Sequence, residues 1–423
     1  VCLCVHTGAN TDGKRQGREM SMNISRRNFV KYAGLMGGVA GAGALAGCSS
    51  SSSDSSSSAS GSSSSKIKIG VSIWSSTDAL GKLSVDIIKK AADILGVEVT
   101  TVDQGHVSEQ VTASVETLCA AGCNGIVICN SADSEMTSAI NTCNDNGVYL
   151  AQFYRMISKD ASPDVYSLAE ASQYFVGSVH EDEVGNGEKL IELLTADNAD
   201  AYSGLTKGAR NIKLEAWTVG DATFQLRWKG YQNGVDTWNA ANPSDKATLS
   251  DPVYANTSSS EGANVTQQFY NTDPTMDALI VAGGGGDPLV GSVGQLANMG
   301  LTGTIRVAST DFLDDLKDQL ASGGMYCESG GHFCDPLYSF LLVYEACKGN
   351  SDFMPSAGSY GKEILFPYVF VSSVAEYEDY EKYFVDEAPY TDDEISKLAE
   401  MSFDDLNKAA TALSIEDVKK RHA

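Results

Sequence analysis

Ile67-Lys68-Ile69-Gly70-Val71-Ser72-Ile73 alternates apolar with polar or small residues, and after a polar break Leu83, Ile87, Ile88, Ala91 and Leu95 recur at helical spacing up to Gly96. The first stretch has the two-residue period of a strand, and the second the period of an amphipathic helix closed by glycine. The pair then repeats. Val97 to Val102, Gly125 to Cys129 and Val148 to Phe153 read as strands, with helical patterns from Val107 to Ala121 and from Glu135 to Asn146 between them. After Pro163 the alternation restarts, with strands predicted at Tyr174 to Gly177, Ile212 to Val219, Ala278 to Ala282 and Ile305 to Ala308. Helices are predicted near Val184 to Thr195, Phe224 to Trp238, Gly262 to Tyr270 and Pro288 to Met299, and Phe366 to Val371 is read as a last strand. Short apolar strands separated by helices of this length fit a parallel sheet covered on both faces. The length of the series predicts an α/β chain of two doubly wound, Rossmann-like lobes.

Composition narrows the function. The 423 residues are 42% hydrophobic, enough for more than one core, and carry 30 Lys plus Arg against 55 Asp plus Glu. Most of the sequence from residue 48 on is more acidic still, which argues against nucleic acid and against charge-driven binding to anionic lipid. No apolar run reaches the 18 or so residues of a membrane span.

The first 65 residues read as an address. Ser25-Arg26-Arg27-Asn28-Phe29-Val30-Lys31 precedes an uncharged Ala/Gly-rich stretch that ends in Leu45-Ala46-Gly47-Cys48. The paired arginines resemble the twin-arginine export motif, and the ending resembles a bacterial lipobox, so residues 1–47 are expected to be upstream residues plus signal, and Cys48 the lipidated anchor. Residues 48–65 are nearly pure serine and have nothing to bury. They are expected to be a flexible tether spanning about 20 to 25 Å.

Four stretches together resemble the periplasmic sugar-binding proteins of the ribose-binding type, type I periplasmic binding proteins that serve as solute receptors of ABC importers. They are Asn130-Ser131-Ala132-Asp133; Ala151-Gln152-Phe153-Tyr154-Arg155; Gly220 through Arg227-Trp228-Lys229-Gly230-Tyr231; and Val307-Ala308-Ser309-Thr310-Asp311. The resemblance covers roughly residues 66 to 372. It implies two lobes joined by a hinge: an N-terminal lobe at 66–168, a C-terminal lobe at 169–330, and a return through the hinge at 331–374. An acidic helical extension follows at 375–423. There Thr391-Asp392-Asp393-Glu394 and Ser402-Phe403-Asp404-Asp405 look like helix starts, with Ile395, Leu398, Leu406, Ala410 and Leu413 to pack.

Carried across residue by residue, the resemblance places Asn130, Arg155 and Asp311 on a sugar. A guanidinium offers two parallel donors to vicinal oxygens, which a lysine does not. Arg155 also reads as a salt-bridge residue, and Asp311 as the N-cap of a helix starting at Phe312. The chain departs from the family at Tyr154, where an aspartate is usual, at Ser75-Ser76-Thr77-Asp78, where paired aromatics are usual, and at Gln225, where an arginine is usual. Trp74, Tyr154, Phe224 or Trp217 is then expected to supply the aromatic face, with Asp78 and Gln225 at the altered positions and His332 near a late glutamine contact. Gly283-Gly284-Gly285-Gly286-Asp287 lacks the endings of a nucleotide loop and reads as a tight cleft loop, with Gly285 and Asp287 at the ligand.

Cys327 and Cys334 are spaced to close a short disulfide, while Cys119 and Cys123 read as buried small hydrophobes. His180-Glu181-Asp182-Glu183 reads as first-turn carboxylates, not as a metal site. No nucleophile elbow or triad is visible, so no enzyme activity, cofactor or metal is expected. The expected function is a lipid-anchored, extracytoplasmic, monomeric receptor that closes on a sugar or polyol and docks on an ABC permease. The alternatives are a sensing receptor that signals to a membrane kinase or chemoreceptor, and a receptor for a non-sugar solute such as a nucleoside or amino acid derivative.

Overall fold

The computed structural model describes residues 66–197, 204–283, 287–356 and 358–423. The export motif, Cys48, the serine tether and Gly285 lie outside the described residues. The first strand and helix, β1 (Lys68–Ile73) and α1 (Ala79–Leu95), form as their periodicity predicts. Asp78 caps the helix by accepting from the Gly81 N–H at 2.9 Å, and Gly96 ends it in the left-handed conformation. The series continues with β2 (Glu98–Asp103), α2 (Ser108–Ala120), β3 (Gly125–Ile128), α3 (Asp133–Asn146), β4 (Tyr149–Phe153), α4 (Pro163–Ala171) and β5 (Phe175–Glu181). Then come α5 (Glu183–Thr195), β6 (Asn211–Ala216), α6 (Ala222–Ala241), β7 (Thr248–Leu249), β8 (Val253–Tyr254), α7 (Ser259–Thr272), β9 (Ala278–Val281) and α8 (Asp287–Asn298). The second lobe ends with β10 (Arg306–Thr310), α9 (Leu316–Ser322) and β11 (Cys327–Gly330). After it come α10 (Asp335–Cys347), β12 (Lys362–Phe366) and β13 (Val369–Val371).

Two sheets result. The first has the order β12-β5-β4-β3-β1-β2, all parallel. The second has the order β13-β11-β10-β9-β6-β7, with β8 also beside β6 and only β13 antiparallel. In each, the strand order reverses around the first strand of the lobe, β1 or β6. Open α/β sheets bind ligands at such a switch point, outside the carboxyl ends of the strands.

The lobe boundary differs from the expectation. β5 pairs with β4 in the first sheet, so the chain crosses at Asp182 and not near residue 168. It crosses again between β11 and α10, which packs on β3, β4 and β5, and a third time between β12 and β13. The expected single strand from Phe366 to Val371 is therefore two strands in two sheets. Pro367 has no N–H for a ladder, and with Tyr368 it makes the third crossing. Cys327 and Cys334 are both free thiols buried in different apolar clusters, so the expected disulfide is absent.

The C-terminal extension is folded. It comprises α11 (Val374–Tyr380), a π turn (Glu381–Asp386), α12 (Asp392–Leu398), α13 (Phe403–Thr411) and α14 (Ile415–Arg421). Thr391 and Glu394 make the capping box read from the sequence, and Ser402 caps α13. Ile395, Leu398, Leu406, Ala410 and Leu413 are all buried. The extension touches both lobes. Lys317 of α9 pairs with Glu378 at 3.1 Å, while Lys90 of α1 donates to the Tyr390 carbonyl at 2.7 Å, and the Tyr338 and Tyr390 hydroxyls lie 2.8 Å apart. Among the described residues no helix is long and apolar enough to cross a membrane.

Candidate functional site

At the carboxyl edge of the first sheet, β1 delivers Trp74, whose ring stacks on His106 at 5.6 Å and 7° and meets Tyr154 at 5.9 Å. His106 follows β2 with a positive φ of 54°. Gln104 holds it there: its carbonyl accepts the His106 N–H at 2.8 Å, while its amide donates to the Cys129 carbonyl at 2.7 Å. The His106 Nδ1 sits 2.9 Å from the Ser131 hydroxyl. Burial, and then the charge of Arg155, lower the His106 pKa.

Asn130, after β3, is fully buried; its amide donates to the Ala132 carbonyl at 3.1 Å and its oxygen accepts from Gln152 at 2.7 Å. One N–H remains for anything else. Tyr154, after β4, takes a positive φ of 58°, and its hydroxyl pairs with Ser84 at 2.7 Å inside the first lobe. The phenol is thus spent on the core, and the ring edge faces His332 at 5.5 Å.

Arg155 is half-buried. Its Nη1 donates to the Tyr154 carbonyl at 2.7 Å, and no described carboxylate lies within ion-pair distance. Burial works against its charge, but Cys129, Glu181, Glu183 and Asp221 outweigh it and raise its pKa. Arg210, Arg227 and Arg421, by contrast, are each held by carboxylates. The salt-bridge reading of Arg155 is therefore not met.

The second sheet supplies the other wall. Arg227, on α6, is 4% exposed and makes four hydrogen bonds: it donates to both Glu183 oxygens at 2.6 and 3.3 Å, to the Ala282 carbonyl at 2.8 Å and to the Tyr368 hydroxyl at 3.0 Å. A Cβ on Gly283 would sit 2.5 Å from its Nη1, so the glycine is what lets the guanidinium reach the strand end. Asp311, after β10, has a φ of 78° and donates its N–H to the Ser329 carbonyl at 2.8 Å. Its carboxylate, 39% exposed, lies 3.9 Å from both Arg227 Nη1 and His332 Nε2. It caps no helix, because α9 begins only at Leu316.

His332, on the second crossing, joins the walls. Its Nε2 is 3.7 Å from Glu181 and 3.9 Å from Asp311, and its ring meets Tyr154 and, at 5.0 Å, Tyr368. Its Nδ1 is buried without a partner among the described residues. Burial raises the Glu181 carboxyl above its ordinary range, against the pull of His332. Burial, and then Glu181, do the same to Asp335, whose oxygens are also unpartnered.

The structure thus brings together Trp74, Asn130, Tyr154, Arg155, Asp311 and His332, and sets others aside. Asp78 is committed to capping α1. Phe224 is a core residue among Trp217, Trp228 and Tyr254, because the period of α6 turns it onto the sheet. Gln225, one position on, is exposed. Asp287 opens α8, and its side chain, like Gly285, lies outside the described residues. Sequence reasoning missed His106, Glu181 and Tyr368. Each follows or ends a strand at the carboxyl edge, so applying that rule to every strand would have found them. Among the described residues no group of side chains is arranged to hold a metal ion.

Two lobes, three crossings and a cleft between carboxyl edges define the architecture. The fold is that of the type I periplasmic binding proteins. The chain is similar to an ABC transporter solute-binding protein from Agrobacterium vitis bound with α-D-tagatopyranose, at 16% identity and a TM-score of 0.56, covering 74% of this chain and 96% of that one. It is also similar to one from Actinobacillus succinogenes with bound D-allose, at 13% identity and a TM-score of 0.58, covering 74% and 100%. A third, from Bacillus halodurans with bound myo-inositol, gives 19% identity and a TM-score of 0.55, covering 75% and 99%. No protein-family model and no curated protein matches the chain by sequence.

Proposed function

We propose that this chain is the solute-binding protein of an ABC importer and that it closes its two lobes on a monosaccharide or polyol. The observation that carries the reading is the presence at the two carboxyl edges of Arg155, from the first sheet and without an ion-pair partner among the described residues, and of Asp311, from the second, whose 39% exposed carboxylate is held only by contacts of 3.9 Å. A guanidinium that donates and a carboxylate that accepts suit vicinal hydroxyls, and the Trp74–His106 stack supplies an aromatic face for the apolar side of a ring. Contacts made from both lobes favour the closed state, and that state is what a permease would recognise. The sugar-bound solute-binding proteins of the same fold support this assignment. The export motif and Cys48 fit a receptor that is exported, lipid-anchored and tethered outside the cytoplasm.

The test is thermal unfolding of the full chain with millimolar tagatose, allose, arabinose, myo-inositol, nucleosides and amino acids. A ligand at about a thousand times its dissociation constant adds roughly 4 kcal/mol and raises the midpoint by several degrees. A shift with one sugar class, lost in Arg155→Ala and Asp311→Asn, supports the reading. A shift only with nucleosides or amino acids, or none at all, removes the sugar assignment.

A further inference from the structure

Asp311 and His332 each lie next to a residue packed against an aromatic ring of the C-terminal extension. Phe312 lays its ring on the backbone of Gly330, where a Cβ would be 2.8 Å from the ring. Tyr380 of α11 does the same at Gly331, whose φ is 69° and whose Cβ would meet the Tyr380 ring at 2.7 Å. The two rings then meet edge to face at 4.9 Å and 79°. One buried ring, 7% exposed, therefore touches both the neighbour of Asp311 and the neighbour of His332. We propose that Tyr380 of the C-terminal extension is a positioning residue of the cleft, holding Asp311 through Phe312 and His332 through Gly331.

Tyr380 is itself fixed. Phe384 of the π turn stacks on it at 5.4 Å and reaches Phe333 of the second crossing at 6.3 Å, while the Lys317 pair with Glu378 ties α11 to the second lobe. Asp311 needs such support. A non-glycine residue adopts a φ near 78° only where its surroundings hold it; the Asp311 N–H bonds the Ser329 carbonyl, and its carboxylate has only the 3.9 Å contacts to Arg227 and His332. The ring makes these contacts, so phenylalanine should replace tyrosine here while alanine should not.

The proposal rests on the receptor reading for its effect on affinity, but not for its effect on the loop. The experiment therefore has two arms, run on the full chain with Tyr380→Ala, Tyr380→Leu, Tyr380→Phe and, as a control, Leu406→Ala. Leu406 is fully buried in the same extension, on a helix packed against β12 of the first sheet. In the first arm, hydrogen exchange of the Asp311 and Leu313 amides is expected to be at least tenfold faster in Tyr380→Ala and Tyr380→Leu, and within twofold of the parent in Tyr380→Phe and Leu406→Ala. In the second, the dissociation constants for D-allose, D-tagatose and myo-inositol are expected to rise at least tenfold in the same two variants only. Unchanged exchange in both Tyr380→Ala and Tyr380→Leu, equal acceleration in Leu406→Ala, or affinity kept within twofold where the parent binds a sugar, overturns the proposal. If the parent binds none of the three sugars, the receptor reading fails, and the exchange arm decides the positioning role alone.

Discussion

Replacing Arg227 by methionine would test how the second wall of the cleft is held to the hinge. The guanidinium bonds Glu183, just past the first crossing, and Tyr368 on the third, so it ties two of the three crossings to the second lobe. Methionine keeps an apolar stem near Trp217 but strands the Glu183 carboxylate, 11% exposed, without its cation. Removing one partner of a buried ion pair costs about 3–5 kcal/mol. The Ala282 carbonyl and the Tyr368 hydroxyl each lose a bond worth about 1 kcal/mol. A total of about 5–7 kcal/mol is expected. Glu183→Gln added to Arg227→Met removes the stranded charge, so the double variant should be at least about 1 kcal/mol more stable than the sum of the single losses implies. Urea unfolding followed by circular dichroism gives the midpoints, and the slopes show whether the unfolding reaction is unchanged. A loss below about 1 kcal/mol in Arg227→Met, or strict additivity in the double variant, would refute the argument.

Arg155→Ala should leave unfolding nearly unchanged, because the side chain has no ionic partner to lose, while weakening sugar binding about tenfold or more; calorimetric titration beside a melting curve reads both. Glu215, buried in β6 with Ser292 and Thr266 as hydroxyl donors, is raised by burial to about 8. Its folded pKa exceeds its unfolded one, so its contribution is complete below about pH 4.5 and is lost as pH rises through about 8, a span worth on the order of 5 kcal/mol. Glu215→Gln should flatten that part of the stability curve, and an unchanged slope would count against it. Leu406→Ala empties a fully buried site in the extension and should cost about 2–5 kcal/mol in the same urea assay.

The alternation of strand and helix was legible in the residues, because burial on both faces of a parallel sheet demands short apolar runs and covering helices. Local capping was equally legible: the Thr391–Glu394 box and the Ser402 cap form where the sequence places them, since both depend on residues three apart. Lobe membership was not. Phe175–Glu181 carries nothing in its own residues that says which sheet it joins, and Phe366 to Val371 is apolar enough to pass for one strand. Only pairing partners distant in the chain decide that.

The cleft divides the same way. Arg155 and Asp311 follow strands that the sequence marks, so their place at a carboxyl edge is a local property. Phe224 and Asp78 are residue types that suit a ligand as well as they suit a core or a cap, and only the neighbours around them settle the use. His332, Glu181 and Tyr368 sit on three separate crossings, 36 to 187 positions apart along the chain, and no local pattern brings them together. The sequence by itself determined the elements, their caps and the acidic character of the surface, because each follows from residues within one or two turns. The tertiary structure alone decided which strands share a sheet, which charges remain unpaired, and that the C-terminal extension reaches the back of the cleft, because those depend on contacts between residues far apart in the chain.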